Sequence, residues 1–532
     1  MARVILTCDE TLTSTYRNIP LLDFFGCAPA EKIPKVIYRL LDAQLPHENG
    51  ILAVAPYSLR KIEAALARDG YNDVAVVHAR YVRHFITKET KVIGISTMDP
   101  MGLGPVSMMF TNGGRLTAFS KKKFMDLIKF LVEYRRAKRF QYKIIVGGPG
   151  VWQLMISEAW KEMEIDHIVI GEVDAVASEI ITRVESGAAD EVIRVNKFPS
   201  ESEIPAIIRP SYKGMVEVTR GCGRNCRYCD PNMRRVRCIP DETLKKEIEI
   251  NVSAGLKTAW LHSDDIFLYK LEDRKYFYPN AEEVVRLFER VMSIPGVKFS
   301  NPTHGTLAPV VACPHMISRI TQIVGACPSK WVGIQMGLET ASPSLIGKYM
   351  ESKVKPFSPS EWPEIIVEGT QILNENYWFP AYTAIIGLPG ETAEDLMDTA
   401  RLIVAMEKTL KDRIGNKAHF TVTPLAFVPA GSLREGKAFD IENQMSEEAF
   451  LLIYHSWRHL AREVASFVPG GVDDVKTAAL YPILKGGLTF ILDFMRRWGI
   501  RMGYDPDIPL EPFELDSHHV VTRSEALGHI AN

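Results

Sequence analysis

Along the first 195 or so positions, apolar residues come in short runs separated by stretches of helical spacing. That alternation predicts a parallel sheet covered by helices. The runs ILAVA (51–55), DVAVVH (73–78), VIGIST (92–97), KIIVGG (143–148) and HIVIGE (167–172) are the expected strands. Between them, LRKIEAALARDG and KKFMDLIKFLVEYRRAK have amphipathic helical spacing. Strands and helices lie too close together for an antiparallel meander, so a Rossmann-like α/β domain is expected over 1–198. Ligands of such sheets sit beyond the carboxyl ends of the strands. Those ends carry TMDPMGLGP (97–105), VGGPGVW (146–152) and IGEVDA (170–175), whose glycines permit close backbone approach.

PSESEIPAIIRPSYKG (199–214) is rich in Pro and Ser, and a linker is expected over 199–211. The strand and helix alternation then resumes with GMVEVTR, TAWLHSDD, KFSNPTHG, WVGIQMGLET and YTAIIGLPGET, each followed by a helical pattern such as DETLKKEIEINVSAG or TAEDLMDTARLIVAMEKTL. A second α/β domain is expected over 212–430. From 431 to 532 the chain is expected to be mainly helical, through SEEAFLLIYHSWRHLAREVASF and LKGGLTFILDFMRRWG, with periodicity lost over the last twenty or so residues. There are no internal repeats or low-complexity tracts.

Composition changes this picture little. The 532 residues are 46% hydrophobic and 24% charged, ordinary for a globular enzyme with a large core. Lys plus Arg (63) nearly balances Asp plus Glu (65), so no global field draws the chain to nucleic acid or a membrane. The basic stretch KKKFMDLIKFLVEYRRAKR has Phe124, Leu127, Ile128 and Leu131 at helical spacing, the mark of a surface helix with a solvated face. The start, MARVILTCDETLTS, lacks a basic segment followed by an apolar one, and no run of 18 apolar residues occurs. A cytoplasmic location is expected, where clustered cysteines more often bind metal or act in redox chemistry than form disulfides.

Three of the eight cysteines, Cys222, Cys226 and Cys229, fall within eight positions in RGCGRNCRYCD. A structural zinc site needs four ligands, usually as two pairs. Here the next cysteine, Cys238, is nine residues on and no paired motif follows. Three thiolates suit a 4Fe-4S cluster whose fourth iron keeps an open position for an outside ligand; zinc and unligated core cysteines are the alternatives. Arginines 220, 224, 227, 234, 235 and 237 would offset the negative charge of such a cluster or of a bound carboxylate. Cys313 and Cys327 are too far apart to argue a second cluster, Cys8 and Cys27 are expected to be buried, and His262 and His304 fall near predicted strand ends.

The CxxxCxxC spacing with Tyr228 directly before the last cysteine resembles the signature of the radical S-adenosylmethionine (SAM) enzymes. The resemblance implies that Cys222, Cys226 and Cys229 ligate the cluster and that a partial (β/α)6 barrel spans 212–430. WLHSDDIF (260–267) is similar to the family's segment that grips the SAM amino group, with Asp264 and Asp265 in the paired-aspartate variant. GLETAS (337–342) resembles the strand end that directs Glu339 at SAM, and IIGLPGET (385–392), with Ile386 and Gly387, the stretch that packs on adenine. Each has an ordinary structural reading beside it: paired aspartates often cap a helix, and GLPGET makes a good turn into a helix capped by Thr392.

Radical SAM enzymes with an N-terminal Rossmann-like domain are commonly cobalamin-dependent, and VGGPGVW with IDHIVIGEVDA resembles their cobalamin-lining segments. Asp99, Gly102, Gly104, Gly147, Gly148, Pro149, Gly171 and Glu172 are the candidates so implied. The Asp-x-His-x-x-Gly motif that supplies a cobalt-ligating histidine in cobalamin mutases is absent. The resemblance implies a methyltransferase acting on an unactivated carbon, with the 4Fe-4S cluster, SAM and cobalamin as cofactors. It also implies a protein or peptide substrate held between the two domains, an external low-potential electron donor, and no membrane or nucleic-acid partner. Overall the chain is most similar to archaeal proteins that methylate methyl-coenzyme M reductase, particularly at a glutamine α-carbon. A radical SAM cyclase or ring-rearranging enzyme without methyl transfer, and a carrier without catalysis, are the rival classes.

Overall fold

A computed structural model describes residues 2–19, 22–156, 158–230, 234–466 and 475–515. The chain forms two compact units, one of residues 1–216 with 239–259, the other of residues 217–238 with 260 onward. The expected loss of periodicity at the C-terminus falls largely outside the described residues. Among the described residues no helix is long and apolar enough to cross a membrane.

The first unit is built on six strands: β1 (Val4–Cys8), β2 (Val74–Val76), β3 (Val92–Ser96), β4 (Lys143–Gly147), β5 (His167–Ile170) and β6 (Val192–Arg194). They pair in parallel in the order β2-β1-β3-β4-β5-β6. This is a doubly wound order whose direction of winding reverses between β1 and β3. Alternate residues feed two separate cores. Ile5, Ile93, Ile95, Ile144, Val146 and Ile168 join Phe124, Leu127, Ile128 and Leu131 of helix α2 (Phe119–Lys138) on one face. Val4, Leu6, Val92, Ile145 and Val169 join Leu59, Ala65 and Leu66 of α1 (Tyr57–Arg68) and Ile180, Ile181 and Val184 of α3 (Ala177–Glu185) on the other. Both faces are therefore dry, as parallel strands require.

Two expectations are corrected here. ILAVA is not a sheet strand: only Ile51–Leu52 is extended, paired antiparallel with His47–Glu48, and the chain then turns at Pro56 into α1. The first sheet strand is the fully buried VILTC at Val4–Cys8. The Pro- and Ser-rich stretch is not a free linker either, because Ile204 and Ile207 are buried. Its carbonyls also accept from the first unit: Pro210 O from Ala55 N (3.3 Å) and Arg60 Nε (2.9 Å), Pro205 O from Lys61 Nζ (2.7 Å). Helix α4 (Asp241–Ser253) belongs to this unit as well. Its buried Glu247 pairs with Lys61 at 2.6 Å and accepts from Tyr57 Oη at 2.7 Å and Ile207 N at 3.1 Å.

Strands β7 (Met215–Glu217) and β8 (Thr258–His262) run through the division between the units. With β9 (Phe299–Pro302) they form a three-stranded sheet. A four-stranded parallel sheet follows in chain order: β10 (His304–Gly305), β11 (Val332–Glu339), β12 (Trp378–Ile386) and β13 (Thr421–Ala426). Thr303, between β9 and β10, joins the two sheets: its N–H donates to Leu261 O (2.9 Å) and its carbonyl accepts from Gln335 N (3.0 Å).

The long helices of the second unit are α5 (Ala281–Ser293), α6 (Pro314–Val324), α7 (Pro343–Val354), α8 (Trp362–Glu375), α9 (Ala393–Ile414), α10 (Glu447–Ser466) and α11 (Val475–Arg501). Thr392 caps α9 with a full capping box through Asp395, so the turn-and-cap reading of GLPGET holds.

Candidate functional site

The cysteine loop leaves β7 through a short antiparallel pair, Thr219–Arg220 with Arg237–Cys238. Gly221 (φ +81°) and Gly223 (φ +80°) bend it, and a Cβ on Gly221 would lie 2.9 Å from the Arg235 carbonyl. Three contacts then fix the loop from outside. Asp264 Oδ2 accepts from Gly221 N at 2.8 Å. Arg224, fully buried, donates to Asp265 Oδ2 at 2.8 Å and to the Ser352 carbonyl of α7 at 2.7 Å. A kink at Met350 in α7 frees the Tyr349 carbonyl, which accepts from Arg227 N at 2.9 Å. From the far side, Gly431 N donates to Asp230 Oδ1 at 2.8 Å and Ser432 N to Arg227 O at 2.8 Å. Any Cβ on Gly431 would strike the Cys229 backbone.

The thiols so placed are hard to ionise unaided. Burial first, then Asp265, push Cys222 up to about 12, against the pull of Arg224. Cys226 is raised by burial, and Cys229 is raised further by burial and by its two fellow cysteines. A coordinated metal reverses this, since a ligating thiol is deprotonated outright. Among the described residues no three His, Cys, Asp or Glu converge closely enough to hold a single ion. A lone zinc needs every sulfur about 2.3 Å from one point, whereas a cube of four irons spreads three thiolates apart. Three cysteines in one loop are the donor set of a 4Fe-4S cluster with one open iron.

Glu339 ends β11 at a bulge with φ +64°, a left-handed conformation rare for a residue with a side chain and frequent at functional sites. It is buried, pairs with Lys353 Nζ at 2.5 Å and accepts from Thr383 Oγ1 at 3.4 Å. Gly337 is obligatory beneath it, because a Cβ there would fall 1.8 Å from Glu339 Oε1 and 2.2 Å from Lys353 Nζ. Tyr228 lies beside Glu339, with its hydroxyl 3.7 Å from Met350 Sδ, and burial lifts it well above its usual range. Both Glu339 and Lys353 act electrostatically on Cys226, as do Asp264 and Lys353 on Cys229. The last segment, at Ile386 and Gly387 (φ +90°), is tied to the same helix: Tyr349 Oη donates to the Pro389 carbonyl at 2.5 Å. Gly387 N donates to Glu391 Oε2 at 2.6 Å, and burial pushes Glu391 up to about 8.

The structure thus brings Cys222, Cys226, Cys229, Tyr228, Asp264 and Glu339 together. Asp265 has a different surrounding. Its Oδ2 is taken by Arg224 and by Thr306 Oγ1 (2.8 Å), and its Oδ1 accepts from Phe267 N (3.2 Å) as cap of a short helical turn. The arginines also differ from expectation, since Arg220 makes a two-point contact with Glu217 at 2.8 Å. Lys353 and Gly337 were not foreseen. The signal in the sequence is only a lysine in the last turn of a helix, a feature that many helices share.

In the first unit, the carboxyl-end glycines answer to the chain itself. A Cβ on Gly148 (φ +101°) would lie 2.7 Å from Thr97 O, and one on Gly171 (φ +111°) 2.2 Å from Val195 O. Gly147 has only ordinary contacts, Gly102 has φ +66°, and Gly104 packs on the Asp99 carboxylate. Asp99 accepts from Gly104 N (2.8 Å), Gln153 Nε2 (2.8 Å), Ser120 Oγ (3.0 Å) and Ser107 Oγ, which organises the loop after β3. What remains exposed at this edge is poor in side chains: Gly148, Pro149, Gly171 and Met98, the last 57% exposed. Glu172 is half-buried beside them. Such a shelf suits a flat, largely apolar ligand.

Residues 216–403 match the Radical SAM superfamily. This stretch is a radical SAM domain. Such a domain implies a 4Fe-4S cluster and SAM, the groups that the three thiols and their surroundings fit. Among solved structures the chain is similar to the radical S-adenosylmethionine methyltransferase TsrM from Kitasatospora setae, determined with its tryptophan substrate and the SAM analogue aza-SAM. The two share 13% identity over 80% of this chain and 73% of that one, with a TM-score of 0.51, a likeness of fold. Methylornithine synthase (PylB) aligns more loosely, at 15% identity over 59% of this chain and 81% of that one, with a TM-score of 0.30. No curated protein matches the chain.

Proposed function

We propose that the chain is a cobalamin-dependent radical SAM methyltransferase acting on an unactivated sp3 carbon. The observation that carries this is the clustering of the buried Cys226 and the half-buried Cys222 and Cys229 with Tyr228, Asp264, Glu339 and Lys353. Seven strands in chain order, three in one sheet (β7–β9) and four in the next (β10–β13), support a partial (β/α)6 barrel as the frame. The fold likeness to a radical SAM methyltransferase supports methyl transfer, and the side-chain-poor shelf supports cobalamin.

In this reading Cys222, Cys226 and Cys229 hold three irons and leave the fourth for SAM. Asp264, Glu339 and Lys353 supply charge-assisted contacts to the polar groups of SAM, and the backbone at Ile386 and Gly387 lies along its adenine. Gly147, Gly148, Pro149 and Gly171 form the surface for cobalamin. When bound, the cluster with SAM supplies a hydrogen-abstracting radical, and cobalamin supplies the methyl group. The protein's share is placement and exclusion of water.

Electrons come from an external low-potential donor, and the substrate is a protein or peptide. A glutamine α-carbon of methyl-coenzyme M reductase is the target the sequence resemblance favours. The test is anaerobic incubation of the reconstituted chain with cobalamin, a reductant, methyl-labelled SAM and that substrate. Formation of 5′-deoxyadenosine together with label in the substrate is expected. Deoxyadenosine together with an altered but unlabelled product would establish a cyclase or rearranging enzyme instead, and no SAM cleavage would remove the reading altogether.

A further inference from the structure

Past the end of β13 the chain does not run straight on to α10. Phe427 N donates to Ile386 O at 2.8 Å, one step beyond the paired register of β12 and β13. A short helical turn, Gly431–Leu433, then lies against the cysteine loop. There the Arg227 carbonyl accepts from Ser432 N at 2.8 Å, Ser432 Oγ at 3.1 Å and Leu433 N at 3.2 Å, and Asp230 accepts from Gly431 N. From this turn the chain comes back, and Phe439 N donates to Phe427 O at 2.9 Å. Residues 427–439 therefore form a closed strap, fastened at its tip to the cysteine loop and at its base to the end of β12.

The Phe439 side chain makes the second fastening. It is buried, and its ring lies directly on Gly387: a Cβ on that glycine would fall 2.4 Å from Phe439 Cδ2 and 2.6 Å from Phe439 Cβ. Gly387 has φ +90°, and a glycine there has more backbone freedom than any other residue, so its peptide planes keep one orientation only if neighbours hold them. Phe427 holds the Ile386 carbonyl, Glu391 holds the Gly387 N–H at 2.6 Å, and the Phe439 ring holds the Gly387 α-carbon.

We infer that Phe439 is a positioning residue for SAM. Through Gly387 it fixes the surface along which adenine lies, and through the strap it sets that surface at one distance from the loop of the three thiols. This rests on the proposed reaction, which places adenine at Ile386 and Gly387. A ligand that reaches from the cluster to this turn binds tightly only when both ends of its site are held in register beforehand. Removing the ring frees the adenine end while the thiols and their own contacts stay as they are.

Calorimetric titration of SAM into the anaerobic, cluster-reconstituted full-length chain tests this, with iron content and the rate of 5′-deoxyadenosine formation at saturating SAM measured on the same preparations. Phe439→Ala should weaken SAM binding about tenfold, the worth of one well-made contact, with iron content and the saturated rate unchanged. Phe439→Leu, which keeps bulk over Gly387, should restore most of the affinity. A role in general packing would instead lower iron content and saturated rate together with affinity. Unchanged affinity in Phe439→Ala, a parallel loss of iron, or Phe439→Leu as weak as Phe439→Ala would overturn the inference. If Phe439→Ala does not fold, Phe439→Val makes the same comparison with Phe439→Leu. Transfer of labelled methyl by the unsubstituted chain separates the two claims. Transfer with unaltered affinity in Phe439→Ala sinks only the inference, and a tenfold loss of affinity without any transfer by the unsubstituted chain sinks only the proposed reaction.

Discussion

The two parallel sheets of this chain start from similar strands and end with different faces. In the first unit the apolar side chains of β1, β3 and β4 alternate between two apolar cores, one on each face, so chemistry is placed at the carboxyl ends. In the second unit one face is apolar and the other carries Gln335, Thr383 and Thr423 with glycines between them. The same contrast appears at the loops. Gly148 and Gly171 make room for the chain's own carbonyls, whereas Gly337 makes room for the Glu339 and Lys353 side chains. A sheet covered on both faces is a support, and a sheet covered on one face can itself be a site.

The largest expected effect breaks the second unit's site outright. Cys226→Ala should abolish cluster absorbance and 5′-deoxyadenosine formation together, checked by iron and sulfide content and by chromatography; full activity in this variant would discard the cluster assignment. Next come the buried ion pairs. Arg224→Met leaves Asp265 charged without its partner, and Lys61→Met does the same to Glu247 in the first unit. Each should cost about 3–5 kcal/mol of its own unit's stability in denaturant unfolding. Only Arg224→Met should also lose iron, since Arg224 clamps the cysteine loop to α7. Equal iron loss in both variants would erase the distinction between support and site.

A smaller effect is expected at Glu339. Glu339→Gln removes one charge-assisted contact and should weaken SAM binding ten- to hundredfold, about 1.5–3 kcal/mol, by calorimetric titration. Asp265→Asn should instead lower stability while the folded fraction binds SAM normally, because Asp265 is engaged by Arg224, Thr306 and Phe267.

The subtlest test uses one buried carboxyl from each unit. Burial raises Asp9 to about 6 and Glu391 to about 8. A carboxyl whose folded pKa is raised holds a proton that the unfolded chain releases, so stability falls as pH rises through that interval and levels off above it. The interval is about 4 to 6 for Asp9 and about 4.5 to 8 for Glu391. Asp9→Asn and Glu391→Gln should remove these slopes, each gaining on the order of 1–3 kcal/mol at the upper end. Hydrogen exchange resolved by segment, at pH 5, pH 6 and pH 8, should show Asp9→Asn complete by pH 6 and Glu391→Gln still gaining above it.

Local pattern sufficed where the cause was local. The amphipathic runs became α1, α2, α4 and α9 because apolar spacing decides which helix face is buried, and Thr392 became a cap because its side chain reaches only its own turn. The cysteine spacing marked the site because three sulfurs in one loop need no distant partner to be recognised. VILTC at Val4–Cys8 was missed because a five-residue apolar run at a chain start has no periodicity of its own, and only its neighbours β2 and β3 make it a strand. The stretch 199–211 has a linker's composition, yet Arg60 and Lys61 capture its carbonyls.

By itself, then, the sequence determined the helices, most of the strands and the three thiols, all properties of residues within a few positions of one another. The tertiary structure alone decided the partners. Asp265 turns to Arg224 and Asp264 to the Gly221 N–H, across about forty positions, and Lys353 meets Glu339 because a bulge and a kinked helix bring them together. The reason is physical: a buried charge is stable only beside its complement, and which complement that is depends on the packing of elements that local spacing does not encode.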